Sequence, residues 1–237
     1  MSSQKSIILD LDNTLYDYKS AHEPAIRASE KFLSKQYHLP ISRIRAEFEI
    51  SRNSVKQRLG HTASAHSRLL YLSNMTLGLG FAAQIDLISS AESIYWNTFL
   101  ENMHLGEGVI EFLSTARHSG YRIVLVTDLT SLVQYRKIKF LRIESLLDVV
   151  ITSEDCGGDK STGKPEAYLR SIYGEMNGIC IGDGDYDYLF PESTVFYMKG
   201  RSSVSNRKIA SNFFTNFNQL TKKLNETKDF PLQQHES

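Results

Sequence analysis

Four short apolar runs along the chain each hand over, at their C-terminal end, to acidic, hydroxyl or glycine residues, and this repeated hand-over constrains the fold more than any other feature. Ser6-Ile7-Ile8-Leu9-Asp10-Leu11 leads into Asp12, Arg122 to Thr127 leads into Asp128, Val149 to Thr152 leads toward a Gly-rich loop, and Gly178 to Gly182 leads into Asp183. Runs that are apolar on both faces are buried parallel strands. In open α/β sheets ligands bind beyond the carboxyl ends of such strands. Between the runs lie stretches of helical period, from Gly108 to Ser119 with Gly120 as C-cap and from Leu132 to Leu141. Strands alternating with helices imply right-handed crossovers and a sheet covered on both faces. Thr194 to Met198 reads as a fifth strand and Phe217 to Leu224 as a closing helix. The expected fold class is therefore α/β, with a Rossmann-like parallel-sheet core.

One segment breaks the rhythm. From residue 17 to residue 103 the chain shows successive helical patterns (Ile26, Phe32, Leu33, Tyr37, then Ile41, Ile44, Phe48) and no convincing buried strand. It is too long for a crossover helix, so we expect an inserted helical domain, 17–103, in a discontinuous core made of 1–16 and 104–237. Leu77 to Phe81 is expected to be a turn inside the insertion, and the polar end from Asn225 to Ser237 to be frayed.

Composition removes several function classes. The 27 basic and 27 acidic residues cancel, so no long-range field gathers nucleic acid or an anionic membrane surface, and a small ligand is the better partner. At 237 residues the chain suffices for one core, which stops growing at roughly 250 residues, or for a core plus a smaller domain. No apolar run approaches the ~20 residues of a membrane span. The first strand starts close to Met1, leaving no room for a signal peptide, and Cys156 and Cys180 are too few for a disulfide framework. A cytoplasmic monomer or homodimer is expected. Neither cysteine has a basic neighbour in sequence, and His61 and His66 lack partners at metal-ligand spacing, so none of these is expected to do chemistry.

Any one strand-end Asp can be a helix cap or a turn residue. Taken in order, however, Asp10-Leu11-Asp12-Asn13-Thr14-Leu15, Thr127, Lys164-Pro165 and Gly182-Asp183-Gly184-Asp185-Tyr186-Asp187 resemble the four motifs of the haloacid dehalogenase (HAD) superfamily of phosphohydrolases. The resemblance is to the branch with a helical cap inserted after the first motif. It implies Asp10 as nucleophile, forming an aspartyl-phosphate, and Asp12 as general acid and base. It implies Thr127, Lys164 and the backbone of Asp128 around the phosphoryl oxygens. It also implies Mg2+ held by Asp10, the carbonyl of Asp12 and Asp183, with Asp187 orienting the metal shell. The residue types suit the chemistry: a carboxylate attacking an anionic ester needs a cation between the two, and phosphoryl transfer is mostly positioning and charge stabilisation. Lys160 in the same loop competes with Lys164, whose following proline matches the motif, and Asp185 competes with Asp187.

Two departures bear on substrate. Asp128 stands where the family usually has Asn, and its side chain is expected either to project toward the leaving group or to cap the helix near Ser131. Tyr188-Leu189-Phe190-Pro191 follows the fourth motif, where a helix of small residues is usual. The carboxylate at Asp12 separates the chain from dehalogenases, whose halide leaving group needs no acid. The implied activity is a phosphatase acting on a small phosphorylated metabolite, a sugar phosphate or nucleoside monophosphate. A phosphomutase, or a non-catalytic binding module on the same fold, are the alternatives.

Overall fold

The alternation of buried runs and helices resolves into one six-stranded sheet in the order β3-β2-β1-β4-β5-β6, every neighbouring pair parallel. The structure, a computed structural model, describes residues 5–174, 176, 178–190, 193–200 and 212–227. In chain order these are β1 (Ser6–Leu9), α1 (Tyr18–Tyr37), α2 (Ile41–Leu59), α3 (Arg68–Gly78), α4 (Ile85–Glu101), α5 (Val109–His118), β2 (Arg122–Thr127), α6 (Ser131–Leu141), β3 (Val149–Thr152), the short α7 (Ser153–Cys156), α8 (Lys164–Tyr173), β4 (Gly178–Gly182), β5 (Thr194–Met198), β6 (Phe213–Phe214) and α9 (Phe217–Thr227). The chain divides into two compact units, residues 18–103 and the remainder.

In the sheet unit β1 is central and fully buried, pairing Leu9 with Leu125 on one side and with Ile181 on the other. The strand order reverses there, because the chain runs outward through β2 and β3 and then returns to start β4. Ile8, Val124, Val126, Cys180, Val195 and Tyr197 pack with Leu169 and Phe190 into one core. The apolar runs are continuous for this reason: both faces of each strand are covered. β1 ends at Leu9, two residues earlier than its apolar pattern, although the Asp10 N–H still bonds the Ile181 carbonyl at 2.9 Å. The polar end expected to fray is helical through Thr227, and residues 228–237 of that tail lie outside the described residues, as does Pro191.

The second unit is four helices around Leu33, Tyr37, Ile44, Phe48, Val55, Tyr71, Leu72 and Met75. Its buried carboxylate, Glu30, is held by Arg45 through contacts of 2.6, 3.0 and 3.2 Å, a two-pronged pair that ties α1 to α2. The expected turn near Leu77 begins only after Gly78, and Gly80 takes a left-handed φ of 85° to make it. Among the described residues no helix is long and apolar enough to cross a membrane.

Candidate active site

Three carboxylates meet at the carboxyl ends of the central strands, where the strand order reverses. Asp10 leaves β1, Asp183 follows β4, and Asp187 ends a tight turn five residues beyond Gly182; each offers an oxygen within 4.8 Å of the others. Both Asp187 oxygens are engaged: Oδ2 accepts from the N–H groups of Asp183 and Gly184, each at 2.8 Å, and Oδ1 accepts from the Lys160 ammonium. Gly182 is what lets that carboxylate lie so close, since a Cβ there would come within 2.2 Å of Asp187. Asp185 is not among the clustered carboxylates, so of the two acids left open by the sequence Asp187 is the one in place.

Lys160 is the cation of this cluster. Its Nζ donates to Asp10 Oδ1 at 2.5 Å as well as to Asp187, and the opposite Asp10 oxygen accepts from the Thr14 hydroxyl at 3.0 Å. Burial pushes the Asp10 carboxyl well up from its ordinary range; Lys160 pulls against this, and Asp187, Asp183 and Asp12 push with it. Burial likewise raises Asp183, with the Asp187 charge adding to it, to about 6. Burial opposes the charge on Lys160, but Asp10, Asp187 and Asp128 more than restore it and hold that ammonium protonated. A pocket of carboxylates whose charges are this poorly balanced, made of hard oxygen donors, fits a divalent cation.

The structure does not bring Lys164, expected at the phosphate, to this cluster. Lys164 is exposed at the start of α8, and its Nζ donates to the Gly157 carbonyl at 2.7 Å. The Lys-Pro pair marks a helix start, Gly163 being the N-cap and Pro165 sitting in the first turn. Lys160 is four residues earlier, in the turn Lys160–Thr162, whose conformation aims it inward.

The Asp128 side chain is held in neither of the two ways expected for it. Its Oδ1 accepts from the Ser153 hydroxyl at 3.0 Å and from the Lys160 N–H at 2.9 Å, so the side chain anchors the Lys160 turn to the end of β2. The cap on α6 comes instead from Glu154, which accepts from the Ser131 N–H at 2.9 Å. The turn after β2 carries Leu129 at a left-handed φ of 88°, a conformation costing a non-glycine residue about 1–2 kcal/mol.

Thr127, buried at the end of β2, stands beside an arrangement the sequence reading missed. Gln134 Nε2 lies 2.7 Å from the Thr127 hydroxyl, 2.5 Å from the Asp128 carbonyl and 3.2 Å from Asp12 Oδ2. Lys137, one turn further along α6 and fully buried, donates to both Asp12 oxygens at 2.7 and 3.0 Å, and the Tyr16 hydroxyl donates to Asp12 Oδ1. Burial pushes Asp12 up, yet the Lys137 charge and the three donors outweigh it and leave its carboxyl below the ordinary range. A visible signal existed: Gln134 and Lys137 share the buried face of α6 with Ile138 and Leu141, and a polar pair on an apolar face is informative. Lys137→Met is expected to move the acid limb of the turnover–pH profile to higher pH, because the carboxyl of Asp12 loses the charge that holds it below the ordinary range. A pH–rate profile of wild type and variant checks this, and an unmoved limb would separate Lys137 from the work of Asp12.

Neither thiol is activated, since burial pushes Cys180 up to about 11 and raises Cys156 too.

Set beside known proteins, residues 7–189 match the family model described as haloacid dehalogenase-like hydrolase. The chain is 30% identical over 184 residues, 75% of its length and 76% of the relative's, to a ribulose-1,5-bisphosphate 5-phosphatase of Halopiger xanaduensis. It is 26% identical over 197 residues, 78% of its length and 75% of the relative's, to a human N-acylneuraminate-9-phosphatase. Among solved structures, the HAD-hydrolase YfnB of Bacillus subtilis superposes with a TM-score of 0.67 at 17% identity, covering 94% of this chain and 100% of that one.

Proposed function

Because this chain belongs to the haloacid dehalogenase-like hydrolase family, we propose that it is a magnesium-dependent phosphatase that hydrolyses a small phosphorylated metabolite through an aspartyl-phosphate intermediate. The observation that carries the reading is the convergence of Asp10, Asp183, Asp187 and Lys160 at one sheet edge, with Asp12 beside them on the same loop. The activities of the two phosphatase relatives favour a phosphorylated sugar or sugar acid over a nucleoside monophosphate. The two free cysteines suit a reducing, cytoplasmic setting.

In this reading the carboxylate of Asp10 attacks phosphorus, and the ester oxygen departs with a proton from Asp12. Asp12 then takes a proton from the water that opens the aspartyl-phosphate. Since Lys137 favours the ionised form of Asp12, the base half of the cycle is the one its resting state is set for. Thr127 and Lys160 hold the phosphoryl oxygens, and Lys160 also keeps Asp10 aimed. Thr14 fixes the second Asp10 oxygen, so that the attacking atom is defined. Asp10 and Asp183, with the Asp12 carbonyl, would hold Mg2+, and Asp187 would orient them. When bound, the cation offsets the repulsion between carboxylate and phosphate and stabilises charge on the transferring group. The inserted helical unit is proposed as the cap that closes on substrate and restricts it to small molecules.

Release of inorganic phosphate from a panel of phosphorylated sugars, sugar acids and nucleotides tests the reading. Chelation is expected to abolish release and magnesium to restore it. Asp183→Asn is expected to raise the magnesium needed for half-maximal rate by about tenfold or more. Conversion of substrate without phosphate release, dependent on a bisphosphate primer, would instead identify a mutase.

A further inference from the structure

In the helical unit a guanidinium is packed into aromatic rings. The Arg68 side chain, at the start of α3, lies 5.5 Å from the ring centroid of Tyr71, 5.3 Å from that of Tyr95 and 5.9 Å from that of Trp96. Its hydrogen bonds go to neutral oxygens: Nη1 donates to the His66 carbonyl at 2.7 Å and Nη2 to the Tyr18 hydroxyl. Nε is buried and bonds to nothing among the described residues. No carboxylate among the described residues forms an ion pair with Arg68, in contrast to Glu30 of the same unit, which Arg45 grips with two prongs.

The surroundings carry the same sign. His22 Nδ1 sits 2.8 Å from the Tyr95 hydroxyl, and its ring stacks on Tyr18 with centroids 5.2 Å apart. Burial, then the charges of Arg68 and Arg52, push this imidazole down to about 4, so it stays neutral beside them. Glu23, next in the chain, turns to Arg27 at 2.9 Å and Lys19 at 3.6 Å. The fold thus holds a desolvated cation among tyrosine hydroxyls and rings with no carboxylate counter-ion among the described residues, a costly arrangement. A guanidinium with donors to spare and a planar fork is the side chain best matched to an oxyanion. Arg68 as a whole residue is only partly buried.

We propose that Arg68, with the hydroxyls of Tyr18 and Tyr95, is an oxyanion site of the helical unit that takes a small anion bearing a carboxylate or a phosphate group. The proposal does not rest on the phosphatase reading above.

The sole tryptophan of the chain, Trp96, reports on this cluster directly. Titrating the full chain without metal, in one arm with inorganic phosphate and in another with malonate, is expected to give a saturable change in Trp96 emission in at least one arm. The arm that responds at lower concentration identifies the anion as phosphate or carboxylate. Arg68→Met is expected to abolish the change, and Arg68→Lys, which keeps the charge without the fork, to weaken it about tenfold or more. A wild-type protein silent in both arms, or a response unchanged in Arg68→Met, would overturn the proposal. Should Arg68→Met fail to fold by circular dichroism, the same comparisons with Arg68→Lys decide it. If the wild type hydrolyses no ester while Trp96 still responds, the phosphatase reading falls and the anion site stands.

Discussion

Asp10→Asn is expected to lower turnover by at least about a thousandfold, the scale on which loss of a covalent nucleophile is felt. The amide keeps the shape: its one oxygen can accept from Lys160, and its NH2 can donate to the Thr14 hydroxyl, which turns to accept, so nothing local need collapse. What it loses is the ability to attack phosphorus. The melting midpoint measured without metal is not expected to fall, because burial and the charges of Asp187, Asp183 and Asp12 already disfavour an ionised group at this position, against the single opposing pull of Lys160. Steady-state rates and a thermal melt on the same sample check both halves. Residual activity above a few per cent of wild type would remove Asp10 from the nucleophile's role, whatever the melt shows.

Lys160→Met is the second large effect, an expected loss of about 100- to 1000-fold, the range seen when a pre-aimed group that stabilises transition-state charge is removed. It has a signature that a merely damaged fold would not give. Lys160 shares two carboxylates with any cation that enters the cluster, so removing its charge should tighten magnesium binding while activity falls. Calorimetric titration of magnesium, set beside initial rates, reads the two opposite changes. Lys164→Met is the matched control. With Nζ on the Gly157 carbonyl at the surface, its loss is expected to leave the rate within about twofold, since surface substitutions of this kind usually cost little. The reverse ranking of the two lysines would restore Lys164 to the phosphate site.

These two lysines also show where sequence stops being legible. β2 to β5 could be placed closely because strands buried on both faces must be apolar throughout, and a run such as Gly178 to Gly182 has no other comfortable home. β6, two residues long, is too short to carry any pattern, and the short α7 owes its existence to a capping box between Thr152 and Asp155 rather than to periodicity. At the site, the residues attached directly to strand ends, Asp10, Thr127 and Asp183, are fixed by where the strands stop. Lys160 and Lys164 hang on a loop whose conformation is set from outside it, by the Asp128 carboxylate holding the Lys160 N–H, a contact made across 32 positions of chain. No local pattern reveals such a tether. The Lys-Pro pair was persuasive for a reason that is conformational: proline near a helix start is pre-set for the helix and says nothing about which neighbour faces the chemistry. Gln134 and Lys137 were the opposite case, legible through their place on a buried helix face but hidden by the ordinary assumption that lysine faces water.

The way the helical unit is spliced into the core bears on how the chain reaches its native state. β1 must pair with β2, Ser6 against Arg122, across the whole insertion, and closing so long a loop carries an entropic cost that local pairing would not. The two stumps of the insertion are themselves stitched together inside the sheet unit, Tyr16 bridging to Leu105 and the Gly106 N–H bonding the Leu15 carbonyl at 2.8 Å. The segment between them has its own apolar core around Leu33, Phe48, Met75 and Ala91, and its first and last helices, α1 and α4, pack together, the Ser29 hydroxyl donating to the Ala91 carbonyl at 3.1 Å. A segment whose first and last helices pair draws its own ends together before the sheet has to close. In folding terms the insertion is then less an interruption of β1 and β2 than the hinge pin that lets them find each other, and the loop from Asp10 to Leu15 takes shape at the moment the pin is set.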